Sequence, residues 1–319
     1  MRHRLVSVLV LLAACDQGSI EGAHVDASRP DGGVGDAGVD APLGGSADAS
    51  VDAADHDDSG IDAGTDAGPP DPCETALFCE TFEDYDVGAL SDGQRFGPWQ
   101  AAVGMGASAL GIDDTRAVSG SRALHAHVEL GERQGGRLYA RGAHPLFEGG
   151  PTHLYGRMRM YLQPDGASVH WTYFGATGPA VASSPVAGRR ATYLMSALGT
   201  ENRHSFVYGL QSGDTGEPYR DCYRQGPERI ADGRWTCVAF EMDSEARILR
   251  SWIDTTDAPT VQVENTGAGC VGDVPGDTPW YGPSVSELYV GAWSFHPMNE
   301  DLDVWIDDLI VDSSPVPCD

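Results

Sequence analysis

The sequence of 319 residues predicts an all-β fold, two antiparallel sheets packed face to face, over residues 73–319. Apolar and polar residues alternate through many short segments, which marks strands with one buried face. Glycine (41) and proline (20) are abundant and fall between those segments, where turns need them. No apolar stripe of helical period extends beyond two turns.

The strands follow in chain order. The first is 78–82. In 122–130, Leu124, Ala126, Val128 and Leu130 face one way, and His125, His127 and Glu129 the other. Gly136–Arg141 comes next. In 154–162, Leu154, Met158, Met160 and Leu162 share a face with Gly156, opposite Tyr155, Arg157, Arg159 and Tyr161. Further strands are expected at 169–175, 192–198, 205–211, Trp235–Asp243, Ile248–Ile253, 288–295 and 304–311. Many short strands separated by turns make a sandwich.

Before this domain the chain reads differently. Arg2, His3 and Arg4 precede an apolar run at 5–12, then Ala13, Ala14 and Cys15. This is a secretory signal over residues 1–14. The run is too short to span a bilayer. Leu12-Ala13-Ala14-Cys15 resembles the lipobox of bacterial lipoproteins. The resemblance implies cleavage before Cys15 and diacylation of its sulfur, a membrane anchor at about 0.8 kcal/mol per buried methylene. The expected location is outside the cytoplasm, lipid-anchored to the bacterial envelope at the outer membrane or cell surface. Residues 15–72 then form a linker. Residues 16–72 hold one basic residue, Arg29, against 14 acidic ones, and no aromatic. Such a chain buries too little apolar surface to offset its ordering entropy. As a coil it would span about 40–45 Å, holding the folded module clear of the membrane.

The formal net charge is −28, and every one of the 20 basic residues is arginine. So acidic a chain argues against nucleic acid as a partner. Residues 73–319 contain Cys73, Cys79, Cys222, Cys237, Cys270 and Cys318. An even number in an exported domain implies disulfides. Cys222 and Cys237 flank a Gly-Pro-rich turn and are the expected pair. A second bridge is expected to tie the N-terminal pair to Cys270 or Cys318.

Several segments, in order, carry a family resemblance. They are Phe78-Cys79-Glu80-Thr81-Phe82-Glu83-Asp84-Tyr85, Ser119-Gly120-Ser121-Arg122-Ala123-Leu124-His125 and Tyr155-Gly156-Arg157-Met158-Arg159. Gly233-Arg234-Trp235-Thr236-Cys237-Val238 and Val304-Trp305-Ile306-Asp307-Asp308-Leu309-Ile310-Val311 complete the set. Together they resemble the concanavalin A-like jelly rolls, in the polysaccharide-lyase-like branch that includes glucuronan and alginate lyases. The resemblance covers nearly all of 73–319. It implies two curved sheets with a glycan-binding concave face, and polysaccharide as the partner. It also implies calcium as a structural ion joining the first and last strands through Glu80 or Glu83 and Asp307 or Asp308. Oxygen ligands suit such a cation. No organic cofactor is expected.

A β-elimination lyase needs a cation to neutralise the uronate carboxylate, a base for the α-proton and an acid for the leaving oxygen. The lyase families supply these from an Arg-x-Glu, a Gln-x-His and a Tyr-x-Lys-x-Gly-x-Tyr strand. Here Arg137-Leu138-Tyr139-Ala140-Arg141 lacks the Glu, and Ser168-Val169-His170 carries Ser for Gln. The third strand is absent because the chain has no lysine. Arg157, Arg159, His170 and Tyr208 or Tyr193 form the expected reduced site. Tyr155, Tyr161, Arg137 and Arg141 are the expected glycan contacts. Glu241, Asp243 and Glu245 at alternate positions suggest a glycoside hydrolase, although Asp243-Ser244-Glu245-Ala246 also reads as a hairpin turn. His125, His127 and Glu129 on one strand face suggest a metal site. The first expectation is therefore an exported lipoprotein whose jelly roll binds polysaccharide without assured catalysis. The alternatives are a lyase for an acidic glycan and a structural envelope protein without glycan ligand.

Overall fold

The computed structural model describes residues 72–104, 106, 108–163, 170–198, 203–210, 220–264 and 281–318, without the side chains of 198, 203–210 and 220–223. The signal, Cys15 and the linker up to residue 71 lie outside the described residues. So do Ser168, Val169, Cys270 and the side chains of Tyr208 and Cys222.

In chain order the strands are β1 (Phe78–Glu80), β2 (Gly88–Ala89), β3 (Arg95–Phe96), β4 (Trp99–Val103), β5 (Ala109–Asp113) and β6 (Ala123–Val128). Then come β7 (Gly136–Arg141), β8 (His153–Gln163), β9 (Trp171–Pro179), β10 (Arg190–Leu198), β11 (Arg203–Leu210) and β12 (Arg220–Arg229). The last are β13 (Trp235–Asp243), β14 (Ile248–Ile253), β15 (Val261–Glu264), β16 (Glu287–Ser294) and β17 (Leu302–Asp312). Two short 3-10 turns, Pro72–Glu74 and Pro145–Phe147, are the helical elements among the described residues. The first sheet runs β15-β14-β13-β8-β17-β6-β5-β2, with β1 also paired to β17. The second runs β12-β11-β10-β9-β16-β7-β4-β3. Neighbouring strands pair antiparallel, as in the central β8–β13 and β9–β16 ladders. The expected two-sheet sandwich is the observed fold.

Alternation decides what enters the core. In β8, Leu154, Met158, Met160 and Leu162 are buried, while the residues between them are only partly so. Their inward side chains meet those of the second sheet, where the rings of Phe174 and Phe240 lie 4.6 Å apart. Each such side chain stabilises the fold by about 1.5–3 kcal/mol. Gly156 is required in that row, because a Cβ there would lie 2.4 Å from the Phe240 ring.

The strand β12 was not expected, and it explains a wrong disulfide. Its sequence, Arg-Asp-Cys-Tyr-Arg-Gln-Gly-Pro-Glu-Arg, lacks apolar alternation and holds Gly226 and Pro227. It is an edge strand, where proline's missing N–H costs no internal ladder bond. The presumed turn between Cys222 and Cys237 is thus mostly strand. Cys222 sits in the second sheet opposite Tyr208, and Cys237 in the first opposite Arg159. Cys237 bonds Cys318 instead. The expected link from the N-terminal pair to a distant cysteine is also corrected, since Cys73 and Cys79 bond each other. The turn between them brings their Cα atoms to 5.3 Å, within bridging reach.

Cys237–Cys318 spans 81 residues of sequence and straps the chain end across the outer side of the first sheet. There Arg157 Nη1 donates to Pro317 O at 2.8 Å. Cys318→Ser is expected to lower stability by about 2–4 kcal/mol, because a long closed loop restricts the unfolded chain. Urea unfolding under non-reducing conditions checks this; an unchanged midpoint would refute it.

Candidate functional site

Residues of the second sheet that point away from the core form one chemically distinct face. Leu138 and Ala140 of β7 enter the core, which turns Arg137, Tyr139 and Arg141 the other way. In β16, Leu288 and Val290 point inward, leaving Glu287, Tyr289 and Gly291 outward. The register aligns Tyr139, Tyr289, Gly175 and Leu194 in one row, and Arg141, Glu287, Thr177 and Thr192 in the next. It carries the face on to the backbone positions of Val207 and Tyr223.

Gly175 shapes the floor. A Cβ there would lie 2.1 Å from the Tyr289 ring, so glycine lets that ring lie across β9. Tyr139 stands beside it, with centroids 5.6 Å apart. The Arg137 guanidinium sits 4.1 Å from the Tyr289 centroid and 4.8 Å from that of Trp293. Arg137 is only 7% exposed. Its Nη2 donates to Thr172 Oγ1, and its Nε has no hydrogen-bond partner among the described residues. No carboxylate among those residues pairs with it, unlike its neighbours. Arg141 and Arg190 share Glu287, Arg141 through Nε to Oε2 and Arg190 Nη2 to Oε1 at 2.7 Å. These two arginines keep 50% and 46% of their side chains exposed. The face therefore has a buried cation at its floor and a cationic rim.

His170 lies at the start of β9, 5.1 Å from the Phe295 ring. Its Nε2 is 3.4 Å from Ser196 Oγ. Burial, then the charges of His296 and Arg137, push its pKa down to about 4. The imidazole is thus neutral at pH 7. Burial is also the main cause that raises the Tyr289 phenol to about 12.

The structure brings Arg137, Arg141 and His170 to this one face. It does not bring the rest. Arg157 and Arg159, with Tyr155 and Tyr161, lie on the outward side of β8 in the first sheet, the opposite side of the sandwich. Tyr208 stands opposite Tyr193, whose side chain belongs to the inter-sheet core. The expected Arg157–Arg159–His170–Tyr208 site is therefore not assembled, and Tyr155 and Tyr161 do not share a surface with Arg137 and Arg141. Alternation correctly groups residues by face, but it does not say which sheet carries that face. Thr172, Tyr289, Glu287 and Arg190 were missed as site residues. Glycines inside strands, Gly175 and Gly291, were the usable signal, since they mark close approach.

The other candidates resolve into local networks. Glu241 receives Arg250 Nη1 at 2.9 Å and Tyr155 OH at 3.3 Å, and lies 3.1 Å from His153 Nε2. Glu245 sits in the turn after β13 and accepts from Ser183 Oγ at 2.6 Å. The turn thus takes Glu245 away from Glu241 and Asp243, which stay in β13 on either side of the His153 ring at 3.1 and 3.4 Å. His125 Nε2 and His127 Nδ1 both approach Asp303 Oδ1, at 2.8 and 2.9 Å. Burial opposes ionisation of Asp303, but those imidazoles outweigh it and hold its pKa below the usual value. Glu129 takes no part in that cluster.

The four carboxylates expected to hold calcium meet N–H and O–H donors. Glu80 accepts from Phe82 N, Tyr85 OH and Trp99 Nε1. Glu83 accepts from Ser121 and Arg122, and Asp307 from the backbone N–H groups of Val118, Ser119 and Asp308. Asp308 accepts from Ser119 Oγ at 2.5 Å. No group of three or more His, Cys, Asp or Glu among the described residues is arranged around a metal ion. These donors do not fit a shared calcium cage.

Asp307 yields a pH expectation. Burial is the largest cause that raises its pKa from 3.8 to about 6, with Asp308 adding to it. A raised folded-state pKa means the folded protein binds this proton more tightly than the unfolded chain. Its contribution to stability is full below pH about 4 and fades as pH rises through about 6. Carboxyl-selective NMR titration is expected to place its midpoint near 6; a midpoint at the ordinary value would refute the burial argument.

No protein-family model and no curated relative matches the chain. Solved structures do. The cellulose-induced protein Cip1 aligns over 69% of this chain and 94% of its own, at 16% identity and a TM-score of 0.46. The endo-β-1,4-glucuronan lyase of the fungus Trichoderma reesei aligns over 75% and 96%, at 11% identity and 0.46. A binding domain of botulinum neurotoxin DC, solved with rat synaptotagmin II, aligns over 69% and 44%, at 7% and 0.40. These are likenesses of chain path and assign no ligand to this chain.

Proposed function

We propose that the outward face of the second sheet binds an acidic polysaccharide, on a protein exported to the bacterial envelope and held there through Cys15. Arg137 carries this reading. A guanidinium buried to this degree without a carboxylate among the described residues is costly. A uronate carboxylate completes it, because the planar fork matches that anion in two parallel hydrogen bonds. Tyr139 and Trp293, both partly exposed, add apolar ring surface that a pyranose stacks upon. The charge also fits: among the described side chains of this face, arginines 137, 141 and 190 outnumber Glu287, inside a chain of net charge −28. Calorimetric titration with polyuronates and neutral glucans tests the reading. Polyuronates are expected to bind, more weakly as salt rises, and neutral glucans not; equal binding of both would overturn it.

His170 favours a second reading, β-elimination. A neutral imidazole can take the proton α to the carboxylate that Arg137 neutralises. The electron pair of that C–H bond then forms the ring double bond as the C–O bond to the leaving sugar breaks, and a proton donor, with Tyr139 on the same face, protonates the departing oxygen. Ultraviolet absorbance of the unsaturated product decides between a lyase and a binding module.

A further inference from the structure

We infer that this face reads at least two acid groups of one polyuronate chain together, one at Arg137 and one at the Arg141–Arg190 rim. The inference rests on the polysaccharide reading above and specifies its ligand as a chain with free carboxylates on more than one ring.

Arg137 and Arg141 are four positions apart on β7 and project from the same face, so their Cα atoms are about 13 Å apart. Both guanidinium groups lean toward the row between them. Arg137 lies 4.1 Å from the Tyr289 centroid and Arg141 4.4 Å from that of Tyr139. Two cations are thus held beside two neighbouring rings on one strand face, where carboxylates on two linked sugars of one chain can meet them together.

The two positions differ in kind. Arg137 is buried and makes no ion pair among the described residues, so it accepts a carboxylate that has shed its water. The rim keeps one net positive charge, because Glu287 takes only one oxygen to each of two arginines. Each guanidinium has five N–H donors, and the half-exposed remainder faces solvent. Glu287 is nearly buried and fixes both forks in place, which reduces the ordering cost of binding. A chain held at both positions gains the second contact at high effective concentration.

The test compares a free monouronate with oligouronates of increasing length and with the same oligomers as methyl esters. Binding to wild-type protein, Arg141→Gln and Arg190→Gln is measured by calorimetry, with melting curves as the folding check. Each single variant leaves Glu287 one arginine partner. Wild-type protein is expected to gain at least tenfold in affinity from monomer to oligomer, and to lose that gain when the acids are esterified. The single variants are expected to lose most of the gain from monomer to oligomer. A gain that survives in both variants, or on the esters, overturns two-point reading while leaving the single Arg137 contact intact. Failure of wild-type protein to bind any uronate overturns the polysaccharide reading itself, a distinct result.

Discussion

Arg137→Gln is expected to weaken polyuronate binding by about 2–5 kcal/mol, the cost of truncating one partner of a desolvated charge pair, while leaving the fold as stable as before or more so. The two halves of this result belong together. Arg137 is 7% exposed and lacks an ion pair among the described residues, so the empty protein bears a desolvation cost that binding removes. Glutamine keeps a donor near Thr172 and drops the charge. A buried arginine kept for structure would behave in the opposite way, because its removal leaves a partner unpaired. Calorimetry and urea unfolding on one preparation separate the cases. A large stability loss with unchanged binding would make Arg137 a core residue and end its role as an anion site.

The same arginine shows what was legible from the sequence. Alternation in 154–162 correctly divided Leu154, Met158, Met160 and Leu162 from Arg157 and Arg159, because the pleat is a local property. It could not place Arg137 beside His170. Those residues meet because β7 and β9 both flank β16, and β16 arrives far later in the chain. Pairing of that kind is decided by the packing of whole sheets. The motif reading sets Arg137 and His170 at matching places, and the two share one face of the second sheet; Arg157 and Arg159, which alternation made equally plausible, lie on the outward side of the first sheet. The disulfides failed for a related reason. Nearness in sequence favoured Cys222 for Cys237, but the chain changes sheets between β12 and β13, and the last strand returns Cys318 instead.

Glu80→Ala is expected to destabilise the domain by at least about 3 kcal/mol, since each of several buried donors left unpaired costs about 1–3 kcal/mol. The sequence offered Glu80 as a calcium ligand, yet its surroundings are those of an acceptor hub. Oε1 takes the Phe82 N–H at 2.8 Å, and Oε2 takes Tyr85 OH at 2.8 Å and Trp99 Nε1 at 2.7 Å. Trp99 belongs to β4 of the second sheet and Glu80 to β1 of the first, so one carboxylate fastens the two layers at the edge of the core. It also holds a strained backbone. Phe82 has φ of 61°, a conformation that costs a residue with a Cβ about 1–2 kcal/mol and persists only where neighbours enforce it. The position buries Phe82 completely against Trp99, with ring centroids 6.5 Å apart. Alanine would orphan the indole and phenol donors and release that turn together. Glutamine, with a single acceptor oxygen, should fall between alanine and wild type. Urea midpoints in the order wild type, Glu80→Gln, Glu80→Ala would support the hub, and a loss below about 1 kcal/mol for alanine would show that water replaces the carboxylate without cost.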